Sequence, residues 1–237
     1  MTQTQQVINI MKQLGGFATF GQLNSTIDFS TWKTKTPEAT VRRIVQDSDA
    51  FFRIQPGLWA LEECREMVLE SLNLGSNLSV LPQEFTHTYY QGLIVEIGNI
   101  RKYETFVPYQ DKNKSYLGKP LKDIVTLQEI HRFTYDKMLK FAKTVDTVWF
   151  NERKMPKAFF EVENTSDMKN SFSKFYELQD FNAKFYIIAP KYRLGKFEDD
   201  INRTQFNEIR DRVLFITYDK LSVMHTKEFE ANQTRYF

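Results

Sequence analysis

The sequence predicts a two-domain chain of α+β/α/β class: a small amino-terminal winged helix joined to a larger mixed sheet flanked by helices. Three observations carry this prediction. The 237 residues are 41% hydrophobic and 15% aromatic, which is material for one large core or two small ones. Before residue 63, apolar residues recur at helical spacing and then give way to a hairpin; after residue 85, helical and alternating patterns interleave. Between these regions Leu74 to Pro82 (LGSNLSVLP) gathers Gly, Ser, Asn and Pro as linkers do. The expected division is therefore 1–63, a linker over 64–84, and a second domain over 85–237.

In the first region Val7, Ile8, Ile10, Met11 and Leu14 predict a helix from Gln5 to Leu14, stopped by Gly15-Gly16, which favour positive φ. Thr19 to Leu23 reads as a short second helix. A third starts where Thr36 can cap, Pro37 suits the first helical position and Glu38 complements the positive end of the dipole. Val41, Ile44 and Val45 form its buried stripe, leaving Thr40, Arg42 and Arg43 towards solvent, with Lys33 and Lys35 just before the cap. Such a face can meet phosphates and base edges of duplex DNA in a major groove, although paired arginines also simply solubilise helices and such domains also bind proteins. Phe51 to Ile54 and Leu58 to Leu61, joined by Gln55-Pro56-Gly57, complete the hairpin. With its Gly-Gly stop, the helix start from Lys35 to Arg43 (KTPEATVRR) and the wing from Phe51 to Leu61, the stretch from Gln5 to Glu62 resembles the HARE-HTH family. That resemblance implies DNA binding and a role in sensing modified bases.

In the second region Leu93, Ile94, Ile97 and Ile100 predict a helix over Thr88 to Arg101 with Glu96 in its middle. A strand over Tyr103 to Pro108, a Lys-rich loop (Lys112, Lys114, Lys119, Lys122) and a helix from Ile124 to Lys143 follow. Further strands are expected over Thr144 to Phe150, Ala158 to Glu163, Lys184 to Ala189 and Arg212 to Thr217. A helix carrying Phe172, Phe175, Tyr176, Leu178 and Phe181 lies between the second and third of these, as the right-handed crossover of a parallel pair.

The chemistry lies in carboxylates set within apolar strands. Alternation places Glu161 and Glu163 on one face of their strand, and Asp146 lies in the preceding strand. If the two strands are neighbours, three carboxylates meet at one end of the sheet and repel one another unless a cation compensates them. Oxygen-only ligands select a hard ion, so Mg²⁺ is the expected cofactor, with Mn²⁺ able to replace it. The same alternation also describes the solvated face of an antiparallel sheet.

Val145-Asp146 with Trp149, then Phe160 to Thr165 (FEVENT) before an amphipathic helix, resemble the PD-(D/E)XK superfamily of restriction-type nucleases over Thr88 to Tyr218. The resemblance implies Asp146 as first acid, Glu161 as second and Glu96 as an additional metal-holding residue. Glu163 falls where a lysine is usual; Lys174 on the following helix, with Lys169 behind it, is the expected substitute.

The balance of 32 Lys and Arg against 30 Asp and Glu, net +2, excludes a uniformly basic coat for nucleic acid, so DNA contact must come from local patches. The single Cys64 cannot form an internal disulfide, and neither a signal peptide nor a membrane-length apolar run occurs, which fits a cytoplasmic protein. No Walker loop, dinucleotide turn, zinc spacing or serine elbow is present. His87, His131 and His225 read as isolated, the last in a terminal strand region. The expectation is a type II restriction endonuclease acting on double-stranded DNA. A homodimer is expected because two-fold symmetry matches a palindromic site. The alternatives are a DNA-binding regulator with a degenerate nuclease fold and a nuclease subunit of a larger complex.

Overall fold

The computed structural model describes residues 1–165 and 167–234. These residues form two units, one comprising Met1–Leu81 with the segment from Ser222 onward, the other Pro82–Leu221.

The first unit begins with α1 (Gln3–Gln13), after which Gly15 and Gly16 turn the chain with φ of 94° and 87°. β1 (Phe17–Thr19) leads directly into α2 (Phe20–Thr26), where Thr19 and Gln22 satisfy each other's backbone N–H groups in a capping box. In α3 (Pro37–Asp47) Pro37 takes the first turn, and Val41 and Val45 are fully buried. The expected Thr36 side-chain cap does not form. Instead the Thr34 hydroxyl accepts the Thr36 N–H at 3.2 Å, and the Thr40 hydroxyl donates to the Thr36 carbonyl at 3.1 Å. β2 (Phe51–Gln55) and β3 (Leu58–Leu61) form the expected hairpin, and β1 adds to its other edge, so the sheet has three strands in the order β1-β3-β2. The stretch read as a linker contains α4 (Arg65–Ser71). Val68, Leu69 and Leu72 are buried there, and their helical spacing overrides the Gly/Ser/Asn signal further on.

The second unit opens with α5 (Gln83–Ile100), a turn longer at its start than expected because Pro82 precedes the helix without interrupting it. Then come β4 (Glu104–Phe106), the short ribbon β5 (Ser115–Tyr116) and β6 (Lys119–Pro120), α6 (Asp136–Ala142), β7 (Thr147–Phe150), β8 (Pro156–Val162), α7 (Met168–Glu177), β9 (Lys184–Ala189), α8 (Leu194–Ile201), β10 (Val213–Thr217) and the first turn of α9 (Tyr218–Thr234), whose residues from Ser222 onward belong to the first unit. The long helix expected over Ile124 to Lys143 is only α6. The residues before it take backbone bonds elsewhere, with the Leu127 N–H donating to the Thr105 carbonyl and the Val125 N–H to the Leu121 carbonyl. His225 belongs to α9, not to a strand; it is buried and its ring lies 4.7 Å from that of Phe229.

The five-stranded sheet has the order β10-β9-β8-β7-β4. β8, β9 and β10 are parallel, while β7 and β4 are antiparallel additions at one side. α7 links the parallel pair β8 and β9, and Phe172 and Phe175 from it are fully buried with Phe159 and Phe185 of the sheet. Fully burying an aromatic of this kind contributes roughly 2–3 kcal/mol by transfer. α5 approaches the sheet closely because it carries Gly98, where a Cβ would stand 2.6 Å from Thr105 and Trp149 side-chain atoms. Among the described residues no helix is long and apolar enough to cross a membrane.

Candidate active site

The carboxyl end of β8 collects the acidic residues. In the register Thr147 pairs with Phe160, so Asp146, at the bend just before β7, comes beside Glu161. Asp146 thus lies one residue outside the strand in which the sequence placed it. It is held there because its Oδ2 accepts the Val162 backbone N–H at 2.8 Å. Glu163, immediately after β8, continues the pairing by donating its N–H to the Ile188 carbonyl at 2.8 Å. Glu161 and Glu163 are each only 4% exposed, and the Ser171 hydroxyl on α7 lies within hydrogen-bond reach of both, 3.0 Å from Glu161 Oε2. Their shared side of the strand is as alternation predicts.

Lys174, one turn of α7 beyond Ser171, completes the group. Its Nζ donates to both Glu161 oxygens at 2.9 Å and to the Thr144 carbonyl at 2.9 Å. Arg193, buried after β9, stands 4.0 Å from Glu163 Oε2. Sequence reasoning missed it, because Arg193 has no neighbour in the chain that marks it and meets Glu163 only through the β8–β9 pairing.

The electrostatics follow from burial. Glu161 has its carboxyl pushed up to about 8, first by burial and then by the Asp146 charge, with Glu163 adding to both and Lys174 opposing them in part. Burial pulls the Lys174 ammonium down, yet Glu161, Asp146 and Glu163 together raise it above its ordinary value. Both shifts run upward, because Glu161 is buried beside other carboxylates and those carboxylates share the Lys174 ammonium.

His87, which reads as isolated in the sequence, is not. Its Nε2 lies 3.0 Å from Asp146 Oδ2. Burial lowers its proton affinity, but the Asp146 hydrogen bond and charge raise it overall above the usual histidine range. One turn further along α5, Gln91 donates to the Asp146 carbonyl and, at 3.0 Å, to Asp111 Oδ2. Glu96 lies about half a turn round the helix from His87, at 100° per residue, and its Oε2 accepts the Tyr116 hydroxyl at 2.7 Å. α5 thus presents His87 and Gln91 to Asp146, and Glu96 to Tyr116. His131 is also partnered, 2.8 Å from Glu104 Oε2.

Among the described residues no three His, Cys, Asp or Glu side chains stand close enough together to hold an ion by themselves. The donor chemistry still fits a hard divalent ion, since the neighbouring carboxylates are oxygen donors and Glu161 carries a repulsion that Lys174 offsets only in part. Asp146 and Glu161 are the residues that would hold it.

On the first unit Lys33, Lys35, Arg42 and Arg43 are exposed and Thr40 is half-buried. The Arg42 guanidinium lies 5.6 Å from the centre of the Phe20 ring. They share the outer side of α3 and the loop before it.

Fold and site together define an α/β protein whose mixed sheet carries a buried acidic centre with a lysine supplied by the crossover helix. Residues 73–234 match the family of the C-terminal domain of the type II restriction enzyme NmeDI, and the chain belongs to that family. The type II restriction enzyme NmeDI of Neisseria meningitidis serogroup C is 24% identical over 155 residues, covering 60% of this chain and 44% of the relative. The chain therefore spans less than half the length of that curated relative. No solved structure matches.

Proposed function

We propose that this chain is a metal-dependent, restriction-type DNA endonuclease, with its catalytic centre at the carboxyl end of β8. One observation carries the reading: Asp146, Glu161 and Lys174, separated in sequence and drawn from the bend before β7, from β8 and from α7, come together at one end of the sheet, where Asp146 Oδ2 accepts the N–H of Val162, next to Glu161, and Lys174 Nζ donates to both Glu161 oxygens. Membership of a restriction-enzyme family supports DNA as the substrate. A Mg²⁺ held there, or Mn²⁺ in its place, would supply Lewis acidity and neutralise charge on the phosphodiester. The chain's own residues do the rest. Asp146 and Glu161 would hold the ion. Lys174 supplies the positive charge that is absent where Glu163 stands, and fixes the Glu161 carboxylate. Ser171 and Arg193 hold Glu163 beside the centre.

The first unit is proposed as a winged helix that presents Lys33, Lys35, Thr40, Arg42 and Arg43 to duplex DNA, with α3 as the reading helix. A homodimer, with each copy cutting one strand of a symmetric site, completes the proposal.

The test is incubation of purified protein with methylated and unmethylated plasmid in Mg²⁺. Discrete fragments are expected, lost in Asp146→Asn and Glu161→Gln while DNA binding persists. One observation favours a second reading, a DNA-binding regulator: the residue two after Glu161 is Glu163, not a lysine. Failure to cut any substrate, with DNA binding intact, would establish it.

A further inference from the structure

Asp146 is not positioned by its own strand. It precedes β7, and a carboxylate at a bend has no ladder to fix it. What fixes it, apart from the Val162 N–H, comes from a helix more than fifty residues earlier. We infer that His87 and Gln91 on α5 are positioning residues for the first acid, an inference that rests on the nuclease reading above.

The geometry is specific at both ends of the residue. His87 and Gln91 are four apart on a helix and therefore share a face. His87 reaches the side chain, at 3.0 Å from Oδ2, and Gln91 donates to the backbone carbonyl of the same residue. Oδ2 then receives two donors, Val162 N–H and His87 Nε2–H. With Oδ2 so engaged, the other carboxylate oxygen, Oδ1, is the one left to turn towards an ion. The Nε2–H donor requires the imidazole to carry its proton on Nε2. His87 Nδ1 is buried with no hydrogen-bond partner among the described residues. A histidine with only one of its nitrogens engaged, and that one on the acid, is committed to Asp146. Gln91 is anchored in turn, since the same amide nitrogen reaches Asp111 Oδ2 at 3.0 Å and the Lys114 ammonium closes on Asp111 Oδ1 at 2.6 Å. The chain Lys114, Asp111, Gln91, Asp146 ties the Lys-rich loop to the first acid through the buried side chains of Asp111 and Gln91. Residues that orient a metal-holding group in this way typically alter metal affinity or activity roughly 10–100-fold when removed.

The experiment uses the full chain and terbium(III), a hard, oxygen-seeking probe ion, read by sensitised luminescence alongside plasmid cleavage as a function of Mg²⁺. His87→Phe keeps ring volume and loses the donor; His87→Gln keeps an N–H donor. His87→Phe is expected to weaken terbium binding roughly 10–100-fold and to raise the Mg²⁺ needed for half-maximal cleavage by a similar factor. DNA affinity should not change, and His87→Gln should recover most of the loss. Gln91→Met should act in the same direction. If His87→Phe does not fold, His87→Ala, which opens space instead of filling it, carries the test. Terbium binding and Mg²⁺ dependence unchanged in these variants, with Asp146→Asn losing both, would overturn this inference alone. A wild-type protein that neither binds terbium nor cuts would overturn the nuclease reading and this inference with it.

Discussion

The charged residues of α3 and those at the end of β8 are managed in opposite ways. On α3, Arg42 and Arg43 are exposed to solvent on a helix whose fully buried residues are Val41 and Val45. At β8, Glu161 and Glu163 are almost wholly buried, and each is held by side chains from other elements. The difference teaches what each proposed task would require. Contact with a polyanion needs exposed cations, whose position can relax onto the phosphates. Chemistry at one phosphodiester needs charges fixed in advance in a dry site, where their interactions are strong.

The largest expected effect falls on the buried side of this comparison. Asp146→Asn or Glu161→Gln should reduce cleavage more than roughly a hundredfold, the scale set by loss of a preorganised charge acting on the transition state. Filter binding of DNA should stay near wild type; a parallel loss of binding would erase the distinction between the two regions. On the exposed side, Arg42→Ala combined with Arg43→Ala should weaken DNA binding and lower the slope of log affinity against log salt by about 1.8. An unchanged slope would remove these arginines from the interface.

Stability should divide the same way. Lys174→Ala leaves Glu161 buried without its cation and should cost about 2 kcal/mol in denaturant unfolding. The double variant Lys174→Ala with Glu161→Gln should recover most of it. A pH effect accompanies this. Folded Glu161 holds its proton up to about pH 8, against an ordinary value of 4.5, so between these values the folded chain binds more protons than the unfolded one. In chelator, stability contributed by this residue should therefore fall as pH rises from about 5 to 8, and Glu161→Gln should flatten the profile. A rising profile assignable to Glu161 would contradict its burial. The smallest effect belongs to the first unit: Thr19→Ala, which removes half of the α2 capping box, should cost about 1 kcal/mol.

Much of this was legible locally. Alternation put Glu161 and Glu163 on one side of a strand, and Ser171 touches both. The amphipathic pattern of α7 pointed Phe172 and Phe175 inward and left Lys174 able to reach the sheet end, where it meets Glu161. The Pro37 start and the Val41/Val45 stripe fixed α3. His87 was missed for a simple reason: the apolar pattern of α5 sets in with the residues after it, and a lone histidine before a helix carries no local signal. The expected helix over Ile124 to Lys143 failed because its apolar residues answer to partners such as Thr105, distant in sequence.

The sequence by itself determined which residue types are available and which face of each element they occupy, because side-chain direction repeats every two residues in a strand and every 3.6 in a helix. Only the tertiary structure decided which faces meet. The β7–β8 register brought Asp146 beside Glu161, the β8–β9 pairing brought Arg193 towards Glu163, and the close approach of α5 delivered His87. Those meetings depend on strand order and packing distance, which are properties of the whole core and not of any local stretch of chain.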